Sequence, residues 1–237
     1  MAMTGHLVAG ALALSFAVGV VQDALAGEQT QTLVYTIEHP EHGPIGTLTN
    51  VIETKGSTVQ VEARTRILVK MGFLTLFRHR NDRREVWCGG RLMAYESYTE
   101  ENSEVTRVKG RAVGDRFILE RGDTMIVGSA GIFPTNPWSR NILNTTEIIS
   151  PVKGSVQQVN VVANGRTPIW LDDRETLVDH FAMTGDKTID AWYDRDGTLV
   201  RFTYPSDHDI LTFTLKHRQG PPIDTKVQTA ACPPRIS

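Results

Sequence analysis

An alternation of apolar and polar side chains over Val59–Lys70 restricts the fold of this chain more than any other sequence feature. Successive side chains of a β-strand point to opposite faces, so a period of two sends one set to the core and the other to solvent. The set expected in the core is Val59, Val61, Ala63, Ile67 and Val69. The opposite set, polar except for Leu68, is Gln60, Glu62, Arg64, Arg66 and Lys70. The segment is therefore predicted to be a half-buried strand.

Similar short segments recur along the chain, separated by glycine, proline and aspartate. Further strands are predicted at 33–37, 45–52, 91–98, 104–109, 115–120, 188–193, 199–204 and 210–215. Asp194–Gly197 lies between two of them, and its Asp-Gly pair is typical of a hairpin. No long apolar stripe with helical spacing follows the N-terminal segment. The patterns predict an all-β protein, either a single antiparallel, strongly curved sheet or a barrel-like fold, of about ten strands.

The N-terminal segment has the properties of a secretory signal peptide. Residues Leu7–Val21 are almost entirely apolar, and this run is shorter than the ~20 residues that a membrane span needs. Ala24-Leu25-Ala26 is a small-x-small pattern, which places the expected cleavage between Ala26 and Gly27. Because Gly27 is not a cysteine and no second long apolar run follows, we expect neither a lipid anchor nor a transmembrane segment after signal removal.

The expected organisation is a signal peptide at 1–26, a single β domain at 27–218 and a Pro-rich C-terminal tail at 219–237. The product is expected to be periplasmic or secreted. The full chain has 25 basic and 27 acidic residues, and this near balance argues against a nucleic-acid-binding protein. Cys88 and Cys232 are the only cysteines. In an oxidising compartment they favour a disulfide that would hold the tail, with two free thiols as the alternative.

Several polar groupings were considered as chemical sites. His39 and His42 have a spacing that could bring two metal ligands together, but they lie where a turn is expected, and no third ligand is evident. Gly128–Gly131 lacks the Gly-x-Ser-x-Gly pattern of a nucleophile elbow. The basic cluster at Arg78–Arg84 could bind an anion, although a solvated hairpin tip is the favoured interpretation. We therefore predict no metal, no cofactor and no catalytic residues.

The interval Gly128–Gly154 is rich in glycine and proline and fits none of the predicted strands. Long loops of this kind often act as lids or binding loops. The alternatives are a packed surface excursion and a short helix at Ser139–Thr145. The candidate ligand-binding residues are aromatic, with one cation as a polar anchor: Phe73, Trp87, Phe133, Trp138, Trp192 and Arg91. Trp87 and Trp192 are more typical of core residues, whereas Trp138 is expected to be exposed.

Several short motifs occur in a characteristic order along the chain. They are Tyr35, Ile45-Gly46-Thr47, Glu85-Val86-Trp87, Gly90-Arg91-Leu92, Tyr98, and Trp192-Tyr193-Asp194 with Gly197. Over about Leu33–His217 the chain resembles the secreted bacterial family designated domain of unknown function 6134. The resemblance implies a secreted β protein without an established activity. More distantly, it is similar to periplasmic proteins of the lipoprotein-carrier type, whose curved sheets hold apolar ligands.

Three functions are compatible with these features. The first is a binding or carrier protein for an apolar or amphipathic small molecule or lipid, held by the curved sheet. The second is a non-catalytic assembly or structural factor that acts through a sheet edge. The third is a hydrolase that joins His180 or His208 to a carboxylate in a cleft. The carrier is the preferred hypothesis.

Overall fold

The computed structural model describes residues 28–206 and 209–223. The predicted signal peptide, with its cleavage site at Ala26 and Gly27, lies outside the described residues. Cys232 lies outside them as well, so its pairing with Cys88, which is buried at the end of a strand, stays a prediction. Within the two described ranges, no helix has both the length and the apolar character needed to cross a bilayer.

The described residues form fifteen β-strands and a short 3₁₀ helix at Arg140–Asn144. The first eight strands are β1 (Gln29–His39), β2 (Gly43–Lys55), β3 (Thr58–Met71), β4 (Leu74–Cys88), β5 (Arg91–Glu101), β6 (Glu104–Val113), β7 (Arg116–Arg121) and β8 (Thr124–Ser129). The others are β9 (Phe133–Pro134), β10 (Glu147–Ser150), β11 (Ser155–Leu171), β12 (Arg174–Gly185), β13 (Ile189–Tyr193), β14 (Leu199–Pro205) and β15 (Ile210–Gln219).

All fifteen strands belong to one sheet with an almost sequential order. β1 pairs with β2 on one side and with β15 on the other, which places the first and last strands side by side. Antiparallel neighbours continue from this pair to β8 in one direction and to β10 in the other, where the short β9 adds in parallel. The predicted all-β class is confirmed, and so is the predicted hairpin at Asp194–Gly197, which joins the antiparallel strands β13 and β14. The predicted count of about ten strands is wrong, because the sheet has fifteen.

The sheet curls until its two ends meet, but backbone hydrogen bonds do not close it. A side chain bridges this seam: the backbone N–H of Ser129, at the end of β8, donates to Glu147 of β10 (N to Oε2, 2.6 Å). Burial raises the pKa of Glu147, but the hydrogen bonds from Ser129 and Gln158 outweigh burial and lower that pKa overall. The result is an open, barrel-like sheet with a bridged seam.

The strands that sequence patterns missed have polar inner faces or exposed apolar residues. β4 turns Asn81, Arg83 and Glu85 inward, so its period of two is not visible as a hydrophobic alternation. The expected hairpin tip at Arg78–Arg84 is wrong, because these residues lie within β4. β11 and β12 are long, with 17 and 12 residues, and much of their surface is exposed.

The main hydrophobic core fills the inside of the curl. Its largest fully buried side chains include Tyr35, Tyr95, Phe117 and Tyr193. Burial raises the pKa of Tyr95 to about 12. A second, smaller cluster of Ile169, Val178 and Val200 lies on the opposite face, where the β11–β12 hairpin folds back over β14 and β15. Two hydrogen bonds hold the β11–β12 hairpin in this position. Arg201 donates to the Trp170 carbonyl (2.8 Å), and Lys216 donates to Asp172 (2.9 Å).

Candidate functional site

The chain between β8 and β10 runs through the interior of the sheet instead of over its rim. Residues 132–139 are all buried, and we call residues 132–145 the plug. The 3₁₀ helix at Arg140–Asn144 lies where one alternative placed a short helix, and the Ser139 side chain caps it by accepting from the Asn141 N–H. The plug divides the interior into two parts, which differ in how tightly they are packed.

Hydrogen bonds to two strands hold this part of the plug. The Tyr193 hydroxyl of β13 donates to the Pro137 carbonyl (2.9 Å), and the Asn136 amide donates to the Asn50 side chain of β2 (2.8 Å). A buried carbonyl without a partner would cost free energy, so the tyrosine stabilises this path of the backbone. Specific hydrogen bonds to side chains of the surrounding sheet therefore hold the plug in place.

A charged group at the centre of the interior binds the plug to β4. The fully buried Glu85 carboxylate accepts from the indole N–H of Trp87 (2.8 Å) and from that of Trp138 in the plug (2.9 Å). Its other oxygen lies 2.8 Å from Nε of Arg83. Arg83 and Glu85 therefore form a buried ion pair beside the plug.

Three of the predicted site residues come together at one end of the plug. The Trp87 ring lies 4.4 Å from that of Phe133 and 5.8 Å from that of Trp138, measured between centroids. All three side chains are at most 5% exposed, so the expected exposure of Trp138 is wrong. The space left beside them is about 10 Å³, roughly the size of one water molecule. This end of the interior is a filled aromatic core.

The other end of the interior contains a cavity of about 150 Å³. Its wall is mostly apolar and is formed by β2–β4, β14, β15 and the segment after β10. The apolar lining residues are Leu48, Ile67, Phe77, Pro151, Val152, Phe202, Tyr204, Leu211 and Phe213. The plug residues Thr135 and Asn136 form its floor, and exposed Ser206 lies at its rim. The plug therefore gives the cavity a closed base.

Polar side chains from β4 and β5 occupy one side of the cavity, and we call His79, Asn81, Arg83 and Glu101 the polar corner. His79 Nδ1 lies 3.0 Å from Glu101 Oε2. The Asn81 amide donates to Ser97 and Thr99, both at 2.8 Å. The Arg83 side chain is only 4% exposed. The corner thus combines an accessible acid with a deeply placed cation.

The remaining predicted site residues lie apart from the cavity. Phe73 is fully exposed at the turn between β3 and β4. Arg91 donates to the carbonyls of Gly114 (2.5 Å) and Arg116 (3.2 Å) and does not line the cavity. Trp192 packs on the second, outer cluster. The structure therefore does not bring the six predicted residues together in one site.

Histidines considered for chemistry occupy separate places. His39 and His42 lie at the turn between β1 and β2, as expected, and His39 contacts Asp209 at 3.2 Å. His180 bonds Asp190 (2.7 Å) and stacks on Trp192, with centroids 4.6 Å apart. His208 lies outside the described residues. The one carboxylate-paired histidine that lines the cavity is His79, within the described part of the chain.

At its far end the plug is held by Arg140. This side chain bonds Asp179 of β12 (3.1 Å) and lies over the Phe181 and Tyr193 rings, 5.4 and 5.6 Å from their centroids. Asp179 also accepts from Arg166 (3.0 Å). The hydrogen bond from Arg166, together with that from Arg140, holds the pKa of the Asp179 carboxyl below its usual value.

Fold and interior together define a class of protein: an open, barrel-like antiparallel sheet with an internal plug and one small, mostly apolar cavity. The chain belongs to the family described as domain of unknown function 6134, which it matches over residues 35–216. The expected resemblance is thereby confirmed.

A solved structure shares this fold. It is a beta-barrel-like protein of domain of unknown function 1849 from Brucella abortus, with a TM-score of 0.62 and 10% sequence identity. The match covers 81% of this chain and 97% of that chain. At this identity the similarity shows the fold alone. A comparison with curated proteins gave no match.

Proposed function

We propose that the protein is a periplasmic or secreted binding or carrier protein for a small apolar or amphipathic molecule, which it holds in the internal cavity. The observation that carries this proposal is the 150 Å³ space between the plug and the inner face of the sheet. Cores are normally packed without voids of this size. An apolar space with a few convergent polar groups is typical of a small-molecule site.

The lining favours a ligand with an apolar body. Phe202 and Phe213 stack with centroids 4.2 Å apart and form one wall, with Leu48 and Ile67 facing the same space. Each of these four side chains is at most 8% exposed. Apolar groups transferred from water to such a wall gain roughly 25 cal/mol for each Å² buried.

The polar corner favours a ligand with one polar end. The nearly buried cation Arg83 lines the cavity, and Asn81 lies two residues away on the same face of β4. A ligand oxygen that meets the amide of Asn81 or the guanidinium of Arg83 would be buried with a hydrogen-bond partner, which avoids the cost of an unpaired polar group. An alcohol or a carboxylate attached to an apolar chain has the required chemistry.

The cavity volume limits the size of the group that it can bind. A dry apolar cavity of ~150 Å³ holds a molecule of about the size of benzene. Drug-sized ligands occupy ~300–1,000 Å³. The fitting ligand is therefore a short chain or the end of a longer one, with the remainder leaving past Ser206 and Glu101 at the rim.

Calorimetric titration with octanol and octanoate tests this proposal, since both have a short apolar chain and they differ in head-group charge. Thr65 faces the cavity, so Thr65→Phe fills it. Thr49 is a matched control, because it is also half-buried but points to the other face of β2. We expect Thr65→Phe to weaken binding at least about tenfold, equivalent to ~1.4 kcal/mol, with Thr49→Phe close to wild type.

The outcomes separate clearly. Loss of binding in Thr65→Phe alone, with both variants folded by circular dichroism, supports the cavity as the site. Equal binding by the two variants places the ligand elsewhere and overturns the assignment. Absence of binding by the wild-type protein to either compound overturns the proposed ligand class.

A further inference from the structure

The hairpin between β3 and β4 extends past the end of β5. The last β4–β5 pair on that side is His79 with Glu101, and the backbone of the next residue, Arg78, is hydrogen-bonded to Asn102 of the following turn. We call residues 68–78 the tip hairpin. Residues 74–77, at ~3.3 Å each, extend about 13 Å past the β5–β6 turn.

The end of the tip hairpin is apolar and exposed. Met71 is 65% exposed, Phe73 is 103% exposed, and Leu74 and Leu76 are 53% and 46% exposed. Single exposed apolar residues are common on proteins, but a contiguous group is typical of a contact site for a protein or a membrane.

The tip hairpin turns at Gly72-Phe73 and so carries an aromatic side chain at its end. Four other hairpin turns consist of glycine and polar residues: Gly56-Ser57, Asn102-Ser103, Gly122-Asp123 and Asp172-Asp173. A hairpin turn by itself does not require apolar side chains. The apolar end of the tip hairpin therefore needs an explanation beyond the fold.

The charges on the tip hairpin are positive. Lys70 and Arg78 are exposed behind the apolar end, and residues 68–78 contain no acid. Of the nearby acids, Asp82 is paired with Arg66 and Arg80, and Glu101 is paired with His79. The tip hairpin therefore complements a surface that has an apolar interior and anionic head groups. Its apolar end matches the interior, and its two cations match the head groups.

We infer that the tip hairpin inserts into the interfacial layer of a lipid bilayer that carries anionic lipids. Apolar segments of interfacial proteins enter this boundary by ~5–10 Å, which the projection of the hairpin allows. Lys70 and Arg78 then lie at the level of the phosphates. Attraction of a basic residue to an anionic membrane surface strengthens binding about fivefold for each residue at moderate ionic strength.

Insertion would bring the cavity to the membrane surface. Ile67, Phe77 and His79 lie at the base of the tip hairpin and also line the cavity. This second consequence rests on the proposed function, whereas insertion itself does not. A bound amphipathic molecule would enter or leave the cavity at the bilayer.

Flotation of the purified protein with vesicles tests the inference. One set of vesicles contains phosphatidylcholine alone, and the other contains equal parts of phosphatidylcholine and phosphatidylglycerol. Met71→Ser is compared with Met125→Ser, since Met125 of β8 is 66% exposed and lies away from the tip hairpin. Lys70→Glu is compared with Lys55→Glu, because Lys55 of β2 pairs with Thr58, at the end of β3 that is far from the tip hairpin.

We expect the wild type to float with the anionic vesicles. A Phe73→Ser variant should bind at least about tenfold more weakly, since it loses a large apolar side chain that the bilayer would bury. Met71→Ser and Lys70→Glu should weaken binding, and their controls should not. Failure of the wild type to float, or equal flotation of Met71→Ser and Met125→Ser, overturns the inference. A drop in oligomer mass in Met71→Ser without vesicle binding assigns the tip to a protein contact and overturns it as well.

The two proposals fail separately. A Thr65→Phe variant that floats normally but does not bind octanoate leaves the membrane contact intact. A Phe73→Ser variant that binds octanoate but does not float leaves the cavity intact.

Discussion

Replacement of Glu85 by glutamine tests whether the interior depends on a buried charge. The carboxylate accepts two indole N–H bonds, of 2.8 and 2.9 Å, and lies 2.8 Å from Arg83. Both partners of this ion pair are almost completely buried, at 4% and 0% exposure of the side chains. Glutamine retains an oxygen for the indoles but leaves the arginine without a counter-charge. Such a loss costs about 3–5 kcal/mol, or roughly 6–20 °C in melting temperature for a domain of this size.

Urea unfolding, followed by tryptophan fluorescence and circular dichroism, measures the effect. An Arg83→Met/Glu85→Gln double variant removes both charges and should recover most of the stability lost by Glu85→Gln. A single variant within about 1 kcal/mol of wild type would refute the reasoning. A double variant no more stable than Glu85→Gln would show that the unpaired charge of Arg83 does not account for the loss.

Three smaller changes test other parts of the structure. Tyr193→Phe leaves the Pro137 carbonyl without its donor and should reduce the free energy of unfolding by about 1–3 kcal/mol in urea titrations. Asp179→Asn should have a lower free energy of unfolding than wild type at neutral pH. Because the pKa of Asp179 is lowered in the folded state, this difference in free energy should be complete above pH ~4 and should vanish as the pH falls through that folded pKa. Gly46→Ala places a Cβ 2.1 Å from a carbonyl oxygen of β3 and should lower the melting temperature, whereas Gly131→Ala has nothing within 4 Å and should not.

Much of the fold is predictable from the sequence because its strands alternate in hydrophobicity. The segment at Val59–Lys70 forms most of β3, and the Asp194–Gly197 turn joins β13 to β14 as expected. At that turn the Asp194 side chain accepts from the Asp196 and Thr198 N–H groups, which explains the residue choice. Such patterns act locally and can be recognised in one sequence.

The plug and the cavity depend on contacts between residues far apart in sequence. Asn50 meets Asn136, and Glu85 meets Trp138. A buried Trp138 in a segment rich in proline is indistinguishable, in sequence, from one on an exposed loop. The only local signal for the polar corner is that β4 keeps a period of two through charged residues, with Asn81, Arg83 and Glu85 two apart. This signal can be recognised only when polar residues are accepted on the inner face of a predicted strand.

The motifs that carry the family resemblance have structural roles in the interior. Glu85 and Trp87 bind the plug, Tyr193 bonds the Pro137 carbonyl, and the Tyr35 hydroxyl donates to the Leu199 carbonyl (2.9 Å). They form the scaffold beside the cavity and do not line it. The motif residues therefore account for the shared architecture, and the residues that line the cavity would determine which ligand it takes.

Native mass spectrometry of the protein isolated from its own compartment tests the central proposal most directly. The proposal predicts a bound mass of a small apolar or amphipathic compound on the wild type, released by organic extraction. The same preparation of Thr65→Phe should carry none, while Thr49→Phe should retain it. A clean mass of the unbound wild-type chain, together with no uptake of octanol or octanoate, would contradict the proposal.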